Sequence, residues 1–457
     1  MNRIAARAMI VLVLVLALGA GTVLFLGEYV AGSRDWVLFP GSPHVYTGGK
    51  ISAGTIVDRE GSLLADLTKG RSYSDSKAVR KSTLHWVGDR QGNIQIPVIS
   101  YYAQELVGYD PVGGVYTYGD GQGQIELTLS AQLQAAALEA LGDKRGTVAV
   151  YNYKTGEILC AVSTPTFDPD NVPDINGDTT GAYTGVYVNR FLQSKYIPGS
   201  IFKVVTLAAA LETLPDAQEM TFYCEGKYEI NNGDITCEGI HGVQTLKEAF
   251  CNSCNCAFAQ LAQEIGKEKL SRYVELFGVT QSVSFDGITT VSGNYNVAGA
   301  SGEQFAWSAI GQHTDQVNPC SFLTFVGALA NGGIGMQPYV VSEVSVGGST
   351  TYEAKPDKGS RVVSESTAEV IREYMGNNVT VKYGSENFHG LTVCAKTGTG
   401  EVGGGKMPNA MFVGFVEDEA YPLAFIVAVE EGGYGSRTCI PVISIILQAY
   451  LTHSWGK

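Results

Sequence analysis

The sequence predicts a mixed α/β (α+β) fold: a sheet with helices on its faces, a strand-bearing region before it, and one membrane-length helix at the start. Three observations carry that expectation. An apolar hairpin at 146–163 is matched far downstream by three further strand-like runs between 391 and 429. Capped or Ala-rich segments of helical character lie between them. The first thirty residues hold an unbroken apolar run, Ala8 to Leu26, with Thr22 as its one polar member.

That run spans roughly 28 Å as a helix, enough for a bilayer core. Arg3 and Arg7 precede it and Glu28 follows, so the expected topology is an N-terminus in the cytoplasm and everything after Gly27 outside. A cleaved signal peptide normally has a shorter apolar region, which favours an uncleaved anchor. No later segment is long and apolar enough for a second span. The 457 residues are 45% hydrophobic and 17% charged, with net charge −14. This suits two or three globular domains and argues against nucleic acid as a partner, which calls for a basic face.

After the anchor, Gly54 to Ala65 reads as strand, turn, strand. Asp58 and Arg59 there read as a local ion pair or as solvated turn charges. His85 beside Trp86 reads as a structural histidine. Tyr116 to Gln124 is Gly-rich and reads as a linker. Ser130 then caps a helix over Ala131–Leu141, with Leu133, Ala137 and Leu141 among its apolar face. Gly146–Tyr151 and Ile158–Ser163 form a hairpin around Lys154-Thr155-Gly156. Thr245 and Glu248 make a capping box for helical material to Gly266. Cys251 to Cys256 interrupts it with poor helix residues, which predicts a helix–helix joint presenting Ser253 and Asn255. Residues 319–332 are helical and stop at Gly332-Gly333. Leu391–Gly400, Ala410–Val416 and Pro422–Val429 are strands, and a last helix begins near Pro441.

Nine cysteines are present. Cys224 and Cys237 flank a turn-rich segment that a disulfide would close. Cys251, Cys254 and Cys256 lack a fourth ligand and a histidine near in sequence, so they read as buried or free thiols rather than a metal site.

Pro198-Gly199 stops whatever precedes, and the apolar run from Ile201 to Leu211 begins a buried helix with Ser200 in its first turn. Lys203 lies one turn on, on the same face. A serine hydroxyl needs a base to become a nucleophile, and a desolvated lysine can be that base. The helix start favours a developing oxyanion. Alone, Ser-x-x-Lys is a weak signal. Ser200/Lys203, Ser253/Asn255 and Lys396-Thr397-Gly398 in this order and in these contexts are a strong one.

With these motifs the chain resembles a class B-type penicillin-binding protein, a membrane-anchored peptidoglycan D,D-transpeptidase. The resemblance covers nearly the whole chain. It includes Gly54 to Gly61, Thr155 to Leu159, Phe167-Asp168-Pro169, Asn189-Arg190, Tyr196 to Ser200, Gly311-Gln312 and Ala330 to Gly333. It departs at Ala395, where a glycine is common, at Ser130, where an Asp is common, and at Asn409 to Phe412. The resemblance implies the penicillin-binding transpeptidase/β-lactamase-like fold, a mainly antiparallel sheet with an all-helical subdomain. It also implies three parts: tip and transmembrane anchor, 1–27; a β-rich pedestal, 28–122; the transpeptidase domain, 123–457. No glycosyltransferase domain is expected before the last.

The resemblance also implies roles. Ser200 attacks the penultimate D-Ala carbonyl of a D-Ala-D-Ala stem peptide, Lys203 is its base, and Ser253 relays a proton to the leaving D-Ala. Asn255 binds the substrate amide and holds Lys203. Lys396 keeps the site electropositive and lowers Lys203. Thr397, Gly398 and Thr399 bind the terminal carboxylate, with N–H groups of Ser200 and Thr399 as oxyanion hole. No cofactor or metal is expected. The expected partners are stem peptides from lipid II-derived strands, β-lactams, the membrane and a polytopic glycan polymerase. Water in place of the acceptor amine gives a D,D-carboxypeptidase or β-lactamase-like hydrolase. The anchor and upstream region favour the wall-synthesis enzyme. A β-lactam sensor calls for further spans, and a non-catalytic scaffold for a lost motif member.

Overall fold

A computed structural model describes residues 2–37, 46–47, 50–68, 70–110, 115–116, 122–230 and 233–453. Helix α1 runs Asn2–Val37. Within Arg3–Gly32 the most apolar eighteen residues have mean hydropathy 2.8 and none of them is buried, so the helix is long and apolar enough to cross a membrane. The helix passes through the expected boundary at Gly27 without a break.

Strands β1 (Thr55–Val57) and β2 (Leu63–Asp66) form the expected strand, turn, strand, and β3 (Ser72–Tyr73), which was not foreseen, pairs with β2. Helix α2 (Lys77–Val87), capped by Ser76, was not foreseen in this strand-bearing region. Asp58 pairs with neither Arg59 nor solvent. Its buried carboxylate accepts the N–H groups of Glu60 and Ser62 at 3.0 and 2.7 Å and that of Ala131 at 3.0 Å. Arg59 faces Glu157 instead, at 3.7 Å. A carboxylate that can take three donors in a tight turn is worth more there than beside a mobile guanidinium. His85 is buried and structural: Nε2 bonds Val186 O at 2.8 Å, and burial lowers its pKa to about 4.

Of the linker expected at 116–124, residues 117–121 lie outside the described residues. Strand β4 (Gly123–Leu127) follows at once. It pairs in parallel with β1 and antiparallel with β11 (Val341–Val346, below), within a six-stranded sheet ordered β12-β11-β4-β1-β2-β3, β12 being Ser349–Glu353. This sheet is shared by both sides of the expected boundary at 122/123.

Next come α3 (Ala131–Leu141), capped by Ser130 as read, and the hairpin β5 (Gly146–Asn152) and β6 (Ile158–Thr164). A 3-10 turn, Gly199–Phe202, leads into α4 (Lys203–Thr213). Four short strands follow: β7 (Thr221–Cys224), β8 (Lys227–Ile230), β9 (Gly233–Thr236) and β10 (Gly242–Thr245). They form two-stranded ladders, β7 with β10 and β8 with β9. Then α5 (Leu246–Cys251), with the expected capping box, and α6 (Asn255–Ile265) meet at the expected joint. Helix α7 is Pro319–Ala330, followed by β11 and β12, and α8 is Glu365–Asn378.

Strands β13 (Val393–Gly400), β14 (Asn409–Val416) and β15 (Leu423–Val429) return to the hairpin and complete an antiparallel five-stranded sheet ordered β6-β5-β15-β14-β13. Helix α9 (Gly435–Thr452) closes the chain. It starts six residues before Pro441, which sits inside it; Tyr434 supplies the extended residue at its start. The sheet interior is apolar on both faces because helices cover each, as the near-continuous burial of β14 and β15 requires. β13 is left as an edge strand, and the 3-10 turn at Gly199 lies against it.

Candidate active site

The contact between that turn and β13 is closer than side chains allow. Gly199 has φ +53, and a Cβ there would lie 2.1 Å from Thr399 O. Its N–H bonds Gly311 O at 2.8 Å. Glycine is therefore needed both for conformation and for approach. The result sets Ser200 beside Thr397, Gly398 and Thr399, on one wall of a cleft of about 610 Å³. Ser253 and Asn255 line the same cleft, from the joint between α5 and α6. The two lysines lie behind these residues, fully buried.

Lys203 Nζ has four oxygen neighbours: Ser253 O at 2.6 Å, Asn255 Oδ1 at 2.7 Å, Ser200 Oγ at 3.0 Å and Ser253 Oγ at 3.2 Å. The two nearest are acceptors only. In a neutral amine they take both N–H groups, which leaves the lone pair for the Ser200 hydroxyl. Asn255 is itself oriented, because its Nδ2 donates to Thr236 O at 2.9 Å. Ser253 has φ +52, a left-handed conformation costly for a residue with a Cβ, and this turns its carbonyl and hydroxyl toward the amine. Lys396 Nζ donates to Ser253 Oγ and to Thr397 O, each at 3.0 Å. A continuous hydrogen-bonded chain thus runs Ser200, Lys203, Ser253, Lys396.

Burial lowers Lys203 to about 8. Lys396 is lowered well below the usual lysine range, first by burial and then by the neighbouring Lys203. The expected lowering of Lys203 by Lys396 is thus supplied by desolvation. The rings of Phe258 and Phe250 lie 5.7 and 5.8 Å from the two amines and make the walls of this dry compartment.

All eight residues singled out in the sequence, Ser200, Lys203, Ser253, Asn255, Lys396, Thr397, Gly398 and Thr399, meet here. Others were not foreseen. Tyr383 Oη bonds Thr397 Oγ1 at 3.0 Å and accepts Thr397 N–H at 3.1 Å, and burial pushes its phenol up to about 12. Gln312 Nε2 donates to Thr399 O at 3.2 Å, and Asn378 Nδ2 to Ala395 O at 3.0 Å. The open edge of β13 is thereby bonded by side chains. Gly311-Gln312 was visible only through the resemblance, and Tyr383 carried no local signal. No sulfur is bonded to another: all nine cysteines are thiols, so the loop from Cys224 to Cys237 is not closed by a disulfide.

The sequence pattern of the penicillin binding protein transpeptidase domain matches residues 146–448. The chain belongs to that family, in its class B type. Stage V sporulation protein D of Bacillus subtilis strain 168 is 30% identical over 400 residues, 79% of this chain and 60% of that protein. Peptidoglycan D,D-transpeptidase PbpA of Mycolicibacterium smegmatis is 28% identical over 360 residues, 72% of this chain and 70% of that protein. The chain therefore spans less than two thirds of the first relative and somewhat more of the second. Among solved structures, the D,D-transpeptidase domain of a peptidoglycan glycosyltransferase from Eggerthella lenta is similar at 27% identity and TM-score 0.75, over 87% of this chain and 98% of that one. Penicillin-binding protein A from M. tuberculosis, solved as a ceftriaxone acyl-enzyme complex, shares the fold at TM-score 0.75 and 23% identity, over 88% and 98% of the two chains.

Proposed function

We propose that the chain is a peptidoglycan D,D-transpeptidase acting through an acyl-enzyme on Ser200. The observation that carries this reading is the hydrogen-bonded chain from Ser200 Oγ through Lys203 Nζ and Ser253 Oγ to Lys396 Nζ. Membership of the family and the names of its relatives support it.

In this reading neutral Lys203 takes the Ser200 proton as Oγ bonds to the penultimate D-Ala carbonyl of a D-Ala-D-Ala donor. The oxyanion is held by the N–H groups of Ser200 and Thr399, each worth roughly 3–4 kcal/mol in such a hole. The tetrahedral adduct expels D-Ala, whose nitrogen takes a proton from Ser253. Ser253 is reprotonated along its bonds to the two amines, and the serine ester remains. Thr397, Gly398 and Thr399 bind the donor carboxylate beside Lys396, and Asn255 binds the donor amide. An amine of a second stem peptide attacks the ester and the steps reverse. A β-lactam enters the same way, but its leaving nitrogen stays tethered, so the ester stalls.

The reading extends to the rest of the chain. Residues 1–27 are the anchor, 28–122 the pedestal and 123–457 the catalytic domain. Arg3 and Arg7 support a cytoplasmic N-terminus with the cleft outside. The exposed apolar surface of α1 is compatible with a polytopic glycan polymerase as neighbour in the membrane.

The test is labelling of the purified chain by a fluorescent penicillin, with mass spectrometry to place the adduct. Wild type gains one adduct on Ser200 that persists for hours, and Ser200→Ala gains none. An adduct on another residue, or full labelling of Ser200→Ala, refutes the assignment. Release of the adduct within minutes favours a hydrolase.

A further inference from the structure

Four side chains that the sequence scatters over thirty residues converge beside the cleft. Cys224 ends β7, Cys237 follows β9, His241 precedes β10, and Cys254 stands at the joint of α5 and α6. Their three sulfurs and one imidazole nitrogen all lie within 4.8 Å of one another. Cys237 Sγ is 3.6 Å from His241 Nδ1 and 3.8 Å from Cys254 Sγ. A zinc–sulfur bond of about 2.3 Å places adjacent corners of a tetrahedron about 3.8 Å apart, whereas a disulfide needs about 2.05 Å. The spacing is that of ligands around an ion.

Two further observations point the same way. Cys254 is the N-cap of α6, its sulfur accepting the Ala257 N–H at 3.4 Å. Cysteine is not a preferred cap, but a helix start stabilises a thiolate. The four short strands β7–β10 form only two-stranded ladders, and Tyr223, Ile240 and Val243 there are exposed. Such ladders are marginal without an added cross-link. Cys224 and Cys254 are buried and Cys237 and His241 half-buried, the enclosure of a structural rather than an open site. Cys256 borders the cluster, within hydrogen-bonding reach of Cys224, Cys237 and Cys254, and its thiol donates to Ile235 O at 3.7 Å; it is not among the four groups that lie within 4.8 Å of one another.

We propose that Cys224, Cys237, His241 and Cys254 bind one structural zinc ion. Three soft thiolates with one imidazole in tetrahedral array select zinc. Binding releases three thiol protons to solvent, and neutral His241 gives its ring lone pair. The ion ties the β7–β10 segment to the residue between Ser253 and Asn255. Both of those touch Lys203, and Asn255 also holds Thr236 O, next to Cys237. The ion therefore positions the second motif, a consequence that rests on the acyl-enzyme reading.

The experiment takes the full chain in detergent, purified without added metal, and combines elemental analysis, intact mass and cobalt(II) substitution after stripping by a chelator. About one zinc per chain is expected, with a thiolate-to-cobalt charge-transfer band in the stripped and reloaded wild type. Cys237→Ser and His241→Ala lose at least tenfold of the bound metal, and Cys320→Ser, outside the cluster, keeps it. Near-UV circular dichroism shows that the variants are folded, and the wild-type cobalt spectrum does not depend on them. Reduced chain without zinc or cobalt band overturns the site. So does an intact mass lower by two protons, the mark of a disulfide within the cluster. Stripping should slow β-lactam acylation about 10- to 100-fold, with recovery on adding zinc. Zinc present but acylation indifferent to it overturns the positioning role alone. No acylation in either state counts against the acyl-enzyme reading and leaves the metal result standing.

Discussion

Lys203 is held by neutral oxygens rather than by a carboxylate, and that choice sets its chemistry. A carboxylate partner would keep the ammonium charged, whereas burial lowers it to about 8. A base works when deprotonated, so β-lactam acylation should rise with pH through that value, about tenfold from pH 7 to 9, and then level. Stopped-flow acylation across this range tests the sign; a rate that falls as pH rises contradicts the assignment. Lys203→Ala should lower the rate by roughly 10²–10⁴-fold while the chain stays folded. These residues were legible because each motif is a short word with its own local context. Tyr383 and Asn378 were not, since each reaches β13 from a segment with no pattern of its own, and Gln312 was visible only through the resemblance. The grouping around His241 was not legible because Cys251, Cys254 and Cys256 were weighed together as neighbours in sequence, whereas the fold sets Cys254 alone of these beside Cys224, Cys237 and His241.

The element on which most depends is the turn at Gly199 against β13. Gly199→Ala puts a Cβ onto Thr399 O and asks an L-residue to hold φ +53. The turn must retreat, which separates Ser200 from β13. Labelling by penicillin should fall about 100-fold, as a displacement near 1 Å can cost, and stability by about 3 kcal/mol. Unchanged labelling would show that the close approach is not required. The hairpin β5–β6, the strands β13 to β15 and the capped helices α3 and α5 were read well, because alternation, turn glycines and capping boxes are local; β7 to β12 and α8 were not read. Helix α2 was missed: its buried residues, such as Leu84 and Trp86, gather in its second half, and its first half sets Ala78 and Val79 among Lys77, Arg80 and Lys81. The start of α9 was misplaced because Pro441 resembles a first-turn proline while lying well inside.

At the scale of the molecule, the six-stranded sheet and Asp58 join the N-terminal region to the catalytic one. Neither is visible locally, since β1 and β4 are separated by a long stretch and pair in parallel. Asp58→Ala strands three N–H groups, Ala131 at the start of α3 among them. It should cost about 2–4 kcal/mol in urea unfolding; a loss within 0.5 kcal/mol, about that of a neutral surface change, would refute the role. His85 ties α2 to the loop at Val186, and its pH effect has a definite sign. Its folded pKa of about 4 lies below the ordinary 6.5. Between these values the unfolded chain takes a proton that the folded chain refuses. The contribution is complete above about pH 6.5 and is lost as pH falls toward 4, about 3 kcal/mol in all. The pH slope of the urea midpoint should flatten in His85→Gln.

The bonds along the outer side of β13 have a consequence for what the cleft can discriminate. Tyr383, Gln312 and Asn378 occupy backbone groups of an edge that would otherwise be free to pair with a further strand. An extended peptide laid along such an edge would be met through its amides, and amides are alike in every residue. Such a groove is blind to the middle of its guest. Tolerance for varied sequences is built into the rail, and choosiness is left to the two ends, where a terminal acid group or an incoming amine must fit.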